Sequence, residues 1–481
     1  MRRERRRRHP GLGANYWKLW AASAVSNFGD GLSVVAYPWL ASALTRSPLA
    51  IAGVGIASRL PWLLFTLPAG VITDRRDRRR LILAMDLLRF VLTMGIALAV
   101  LASEASLNDP ADIADGLASV PENSVLAIGL LYVAAVLLGM AEVLRDNSAQ
   151  TLMPSLVEQQ QLERANGRLW AAEMIMNGFV GPPAAGLLLA VSFALPFFVD
   201  AGTFAVAAGL MFLVAGDFSP KGGDDRAAAA PSSLRADIRE GVTWLRGNPL
   251  LWSMAIALGL TNGMGMVTTA AEVLFVQEVL GLGAAGFGLL GISFAIGGVA
   301  GSVAAAWVSE RIGPGNSLFV TIVVIGCAGA LIGTVPSVAL VFSMFVLTGF
   351  VSTLWNVITV ALRQSLIPDR LLGRVNSVYR FFGWGMMPIG SIIGGLIVVG
   401  ADAVASRNVA LRVPFLVSAV GHGLLLLYAL PRLNNAKIAA AKAEGIPAKE
   451  SADAETTDRR PTVDDSASNG PPTSEVGVTE D

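Results

Sequence analysis

Residues 312–362 read IGPGNSLFVTIVVIGCAGALIGTVPSVALVFSMFVLTGFVSTLWNVITVAL, 51 consecutive positions without Asp, Glu, Lys or Arg. About 20 apolar residues in a helix cross a hydrocarbon core of roughly 30 Å. The run therefore holds two crossings, with a turn at Val335, Pro336 and Ser337. Met174 to Val199, Gly247 to Ala271, Val279 to Ser309 and Phe381 to Ala401 are also free of charge. Adding segments with one or two charges predicts spans near 17–43, 49–72, 81–103, 124–148, 166–190, 195–215, 249–274, 286–309, 316–335, 338–362, 375–400 and 413–431. The whole chain of 481 residues fits this reading: 53% is hydrophobic and only 15% charged, against about 25% charged in soluble proteins. Its 51 glycines and 24 prolines would break soluble helices but are usual in membrane bundles, where small residues let backbones approach.

Charge is balanced, with 36 basic and 36 acidic side chains, so a nucleic-acid binder is not expected and the distribution carries the information. Among the polar segments on one side of the twelve spans, the only basic residues are Arg46, Arg407 and Arg412. Apart from those within the spans, such as Arg59, Arg89 and Arg145, the rest lie on the side of the termini, which places both ends in the cytoplasm of a cell membrane. The acidic 104–123 loop then lies outside. The leading RRERRRR reads as an anchor to anionic lipid, and no short apolar segment with a small-residue cleavage site precedes the first span. From about Asn434 the tail is too polar to bury a core and is expected to be disordered. One cysteine, Cys327, and two histidines exclude a disulfide framework and a zinc enzyme. No Walker lysine motif or nucleophile elbow is present. The chain is thus expected to be no enzyme and to carry no cofactor or metal.

The chain also resembles itself. Asn27-Phe-Gly-Asp30 corresponds to Asn262-Gly-Met-Gly265 at an offset of 235. Gln150-Thr-Leu-Met-Pro154 corresponds to Gln364-Ser-Leu-Ile-Pro368 at 214, and Pro196-Phe-Phe-Val-Asp200-Ala201 to Pro414-Phe-Leu-Val-Ser418-Ala419 at 218. Matches in order at equivalent helix positions indicate two related six-helix halves, as transporters often have. The division is a basic tail at 1–16, bundles at 17–215 and 249–431, a linker at 216–248 bearing the helix-like LRADIREGVTWLR, and a tail at 432–481.

The stretch Gly70-Val-Ile-Thr-Asp74-Arg75-Arg76-Asp77-Arg78-Arg79 resembles the G-x-x-x-D-[RK]-x-G-[RK]-[RK] loop of the major facilitator superfamily, with Asp77 in place of the family's Gly. A degenerate second copy, Ala306-Trp-Val-Ser-Glu310-Arg311-Ile-Gly313, follows the eighth span. Gly178-Phe-Val-Gly181-Pro182-Pro183-Ala-Ala-Gly186 is similar to the motif associated with antiporters. The phrases NFGDGLSVVAYPWLASALTRSP and LPAGVITDRRDRRR look like the drug and siderophore exporter branch that includes the enterobactin exporter. The resemblance covers about residues 17–431. It implies an all-α membrane protein of twelve transmembrane helices in two pseudo-symmetric six-helix bundles, the major facilitator fold. It further implies a conformational latch in which Asp74 docks near Arg374 and Arg78 reaches Asp146 in helix four. The alternative for the arginine loop is an anchor with no gating role.

Ionisable groups inside a bilayer are costly and mark function. Asp86, Arg89, Glu142, Arg145, Asp146, Glu173 and Arg363 fall within about two turns of cytoplasmic ends, and Asp200 and Glu272 near outer ends, where snorkelling is easy. Asp30 and Arg59 each lie 13 residues in, about 20 Å deep on consecutive helices. They are expected to meet, either as a proton-coupling pair at the central cavity or as a structural salt bridge. His422 is read as a hydrogen-bonded packing residue. Tyr37, Trp39, Trp355 and Trp384 are candidates for lining a substrate cavity. The expectation is a monomeric, proton-coupled exporter of a small amphipathic drug or siderophore, working by alternating access with the lipid bilayer as its surroundings. The alternatives are a uniporter or importer of a nutrient or lipid, and a membrane scaffold or receptor.

Overall fold

The computed structural model describes residues 12–114, 119–121, 123–158, 161–216, 218 and 234–444. The arginine-rich start and most of the linker lie outside these. The first half runs α1 (Ala14–Leu44), α2 (Pro48–Leu64), α3 (Thr66–Arg75), α4 (Arg78–Ser103), the short α5 (Pro110–Ala114), α6 (Ser124–Leu156), α7 (Leu162–Glu173), α8 (Gly181–Leu189) and α9 (Leu195–Phe212). After α10 (Leu234–Gly247) come α11 (Pro249–Leu274), α12 (Ala284–Ile312), α13 (Pro314–Thr334), α14 (Val338–Leu366), α15 (Asp369–Asp402), the single turn α16 (Arg407–Ala410) and α17 (Val413–Ala429). Local chemistry starts several of them. Ser47 Oγ accepts from the Ala50 amide ahead of α2, Asp77 from Arg80 ahead of α4, and Asn248 from Leu251 ahead of α11. Each satisfies one orphan N–H of a first turn. Asp77, the departure from the family loop, is thus a helix cap.

Nine described helices or helix runs are each long and apolar enough to cross a bilayer, by length and composition. The first, second and fifth predicted spans are different. Helix α1 carries Lys18, Asn27 and Asp30. The second span divides at Phe65 into α2 and α3, where Pro68 has no N–H for the Leu64 carbonyl. The fifth divides into α7, a π-helical turn at Met174–Val180 and α8, because Pro182 and Pro183 cannot donate to Gly178 and Phe179.

Contacts within the halves repeat. Helices α2 and α6 pair as α12 and α14 do, α4 and α9 as α13 and α17, and α1 and α8 as α11 and α15. The halves meet along two related seams, α2 against α15 and α8 against α12. Backbones nearly touch there: a methyl on Gly186 would lie 2.6 Å from the Ala284 carbonyl oxygen, and one on Gly288 2.6 Å from that of Pro182. Helix α10 docks on the second half, burying Leu245 beside α15.

The tail begins with order rather than disorder. Residues 435–444 are helical, Leu433 and Ile438 are buried, and the Asn435 side chain accepts from the Gly315 amide at 2.7 Å and donates to the Ile312 carbonyl at 3.1 Å. Composition misleads here because two apolar residues and one capping amide suffice to dock a short helix on an existing surface.

Candidate functional site

The end at which α1 starts is here the inner end, and the end bearing Arg46 the outer. Helix α1 presents Ser23, Ser26, Asp30, Ser33 and Tyr37 at intervals of three and four residues, one face of a helix. Helix α4 brings Asp86 and Arg89 to this stripe, α6 brings Glu142, Arg145 and Asp146, and α9 brings Asp200. Arg89, 3% exposed, pairs through Nη2 with Asp30 and donates from Nη1 to Ser26 Oγ at 3.0 Å. Its guanidinium lies 3.9 Å from the Phe204 ring centroid. Arg145, also buried, donates to Asp86 from Nε and to Asp146 from Nη1, both at 3.1 Å, and to Ser23 at 3.3 Å. Asp200 is buried against Gly29. One of its oxygens accepts from Ser33 Oγ at 2.9 Å, and the other has no partner among the described residues. Two buried guanidiniums thus hold three carboxyl groups, Asp30, Asp86 and Asp146, while Glu142 and Asp200 stand in the same group of helices with no ion pair among the described residues.

This arrangement corrects the sequence reading. Asp30 pairs with Arg89, not with Arg59, which is exposed. Equal depth does not make contact: α2 turns Arg59 away, while α4 turns Arg89 inward. Asp86, Arg89, Arg145 and Asp200 do not snorkel but form the interior of the first half. The signal was present in the acid-x-x-Arg spacing of Asp86–Arg89 and Glu142–Arg145, which aligns both residues on one helical face.

The arginine loop is only partly described. Arg79 donates to the Met211 and Phe212 carbonyls at 3.2 and 2.6 Å, placing a cation at the C-terminus of α9. Thr73 meets Ser148 at 3.3 Å. Asp146 is held by Arg145 and not by Arg78, because one arginine fork already spans Asp86 and Asp146. Arg75 is exposed, and a methyl on Gly70 would meet nothing within 4 Å. The side chains of Asp74 and Arg374 lie outside the described residues. Glu310 and Arg311 are exposed, with Arg311 6.0 Å from the Trp307 ring.

Between the halves lies a cavity of about 770 Å³, walled by α1, α7, the Met174–Val180 turn, α8, α11 to α15 and α17. A hollow of about 350 Å³ adjoins it, sharing Asn262 and lined by Asn356, Arg363, Gln364 and Asn376 near the inner ends of α14 and α15. The Gly-Pro motif forms the wall. A methyl on Gly31 of α1 would lie 2.9 Å from Gly181 Cα, Pro182 lines the cavity, Gly186 closes on α12, and Gly178 faces Ala295 at 3.8 Å. Of the aromatic candidates, Trp384 lines the hollow and meets Trp62 at 5.7 Å. Tyr37, Trp39 and Trp355 are buried core residues instead and do not line the cavity, although Trp39 lies 6.1 Å from the ring of Phe287, which does. Glu272, read as an outer-end residue, lines the cavity, as does Glu173. His422 is buried and bonds the Ser418 carbonyl at 2.8 Å.

At the outer end the halves are latched by charge. Glu278 pairs with Arg46 of the first half and, at 2.9 Å, with Arg407 of the second. Arg46 also donates to Gln277 at 2.9 Å, and Arg407 to the Arg46 carbonyl at 2.8 Å. Burial draws the Arg46 guanidinium below its ordinary range, and the Glu278 carboxylate opposes this. Neutralising Glu278 (Glu278→Gln) leaves two arginines facing each other and is expected to open this end. In a Cys327→Ser background, an Ala284→Cys thiol should then react several-fold faster with a membrane-impermeant reagent added outside. An unchanged rate would mean the charges do not hold the halves together.

The family profile described as Major Facilitator Superfamily matches residues 19–391. The chain belongs to the major facilitator superfamily. It is 26% identical over 426 residues to the multidrug efflux pump Tap of Mycolicibacterium fortuitum, covering 87% of this chain and 96% of that one. It is 24% identical over 414 residues to the enterobactin exporter EntS of Citrobacter koseri, covering 84% and 88%. Among solved structures, a bacterial homologue of the iron transporter ferroportin in an inward-facing state superposes with a TM-score of 0.64 at 16% identity, over 88% of this chain and all of that one. The superfamily and the fold make this major facilitator protein a multi-pass membrane transporter rather than an enzyme.

Proposed function

We propose that this transporter exports small amphipathic compounds by alternating access and that protons drive it. The observation that carries this reading is the cavity walled by both halves, latched by Glu278 at the outer end and adjoined by the polar hollow at the inner end. The efflux pumps it resembles, Tap and EntS, support export. Twelve passes are the reading of the apolar runs, and the distribution of Lys and Arg supports an orientation with the inner end and both termini in the cytoplasm. The inner end of the cavity then receives solute from the cytoplasm, and rocking about the two glycine seams re-exposes it outside.

The carboxyl network is the coupling device. Buried carboxylates are tolerated where a cation or a proton neutralises each, and here the two guanidiniums pair with Asp30, Asp86 and Asp146 but leave Glu142 and Asp200 without an ion pair among the described residues. Asp30 is satisfied by Arg89 in this state, and motion of α1 against α4 exchanges that partner for a proton. The test is proton-gradient-driven efflux from proteoliposomes. Asp30→Asn is expected to lower gradient-driven transport by roughly tenfold or more, in the range of a lost buried charge contact, while exchange of solute without a gradient persists. Full gradient-driven transport by Asp30→Asn would remove the coupling role. Absence of any flux from wild-type protein would remove the exporter reading.

A further inference from the structure

We infer that the cavity selects positively charged amphiphiles, with Glu272 receiving the cation and Glu173 adding a second negative wall. This rests on the exporter reading and narrows its substrate class. At about 770 Å³ the cavity has the size of drug-binding sites. Its wall is mainly apolar and aromatic, including Phe287, Phe294, Phe345 and Phe415. Among the described residues, the charged ones lining it are Glu173, from the first half, and Glu272, from the second. Among the described residues no Lys, Arg or His lines it, and Arg89 and Arg145 are engaged within the first half.

Thr269, one turn before Glu272, gives its hydroxyl proton to the Gly265 carbonyl at 3.2 Å, and among the described residues no basic side chain is paired with Glu272. Thr261 adds a buried hydroxyl at the cavity wall that has no partner. A carboxylate without a cation in an apolar chamber is completed by a solute that brings one, and Phe ring faces add attraction for the same charge. An anionic solute meets the opposite. Its charge would face two carboxylates inside the cavity, with Arg363 confined to the adjoining hollow, so a polyanionic chelator fits this chamber poorly.

Three probes of similar size and shape separate charge from hydrophobicity: tetraphenylphosphonium, tetraphenylborate and neutral triphenylphosphine oxide. Equilibrium binding to the purified full chain is expected to rank cation above neutral above anion. Glu272→Gln should weaken cation binding by about tenfold, the scale of one partly desolvated charge contact, and leave neutral-probe binding within about twofold. Retained neutral binding also certifies that the variant is folded, and Glu272→Asp should keep most of the cation preference. Equal binding of cation and anion, or a Glu272→Gln variant with unaltered cation affinity, would overturn the inference while leaving export intact. Binding of none of the probes, together with no solute flux, would overturn both readings.

Discussion

Replacing Arg89 with Met is expected to destabilise the first half by about 3–5 kcal/mol, the cost of leaving one member of a buried ion pair alone. The side chain is almost wholly buried and holds Asp30, Ser26 and the face of Phe204 at once. Methionine fills much of the volume but supplies no charge, so Asp30 is stranded beside Glu142, Asp86 and Asp200, which all act on Arg89 in the native protein. Thermal unfolding of the detergent-solubilised protein should show the loss directly. The double variant Arg89→Met with Asp30→Asn removes both charges and should regain most of the stability but none of the proton-driven transport. A single Arg89→Met variant as stable as wild type would mean that the pair does not hold α1 to α4.

Gly297→Val should be at least as damaging to the second half. A methyl at Gly297 would strike the Val346 carbonyl oxygen and lie 2.8 Å from the Phe350 amide nitrogen. One helical turn on, a methyl at Gly301 would lie 3.0 Å from Phe350 Cα, and across the seam Gly349 of α14 faces the Phe294 carbonyl. Backbone cannot rotate aside as a side chain can, so α12 and α14 must separate and lose the contact along their length. Overpacking of this kind costs about 3 kcal/mol or more, and small residues are what permit such close crossings in a membrane. Yield of folded, monodisperse protein is expected to fall sharply. Gly95→Ala is the control, since a methyl there meets nothing within 4 Å and should be tolerated. Normal yield of Gly297→Val would contradict the backbone seam.

Much of the architecture was legible in one dimension. The charge-free runs marked most spans because a bilayer imposes a length, and three spaced matches pointed to two related halves because duplicated helices keep their packing residues. The site was less legible. Asp30 does pair with an arginine, but with Arg89, because depth along a helix says nothing about the direction a side chain faces. Arg89 and Arg145 were discounted for lying near span ends, although their spacing from Asp86 and Glu142 placed each pair on one face. Glu272 lies near the end of its span by position, yet its side chain is on the cavity wall, which position along a helix does not reveal.

What the residues determined alone is that this chain crosses a membrane many times, that its loops differ in charge between the two sides, and that a glycine-rich segment with two prolines cannot remain a regular helix. Those properties follow from transfer free energies and backbone sterics, which act residue by residue. Which arginine satisfies Asp30, which acids face solute, and how Arg46, Glu278 and Arg407 clasp the outer end were decided only by tertiary packing. Each depends on the rotation of one helix against another, and that rotation is set by the joint fit of many small residues rather than by any local stretch.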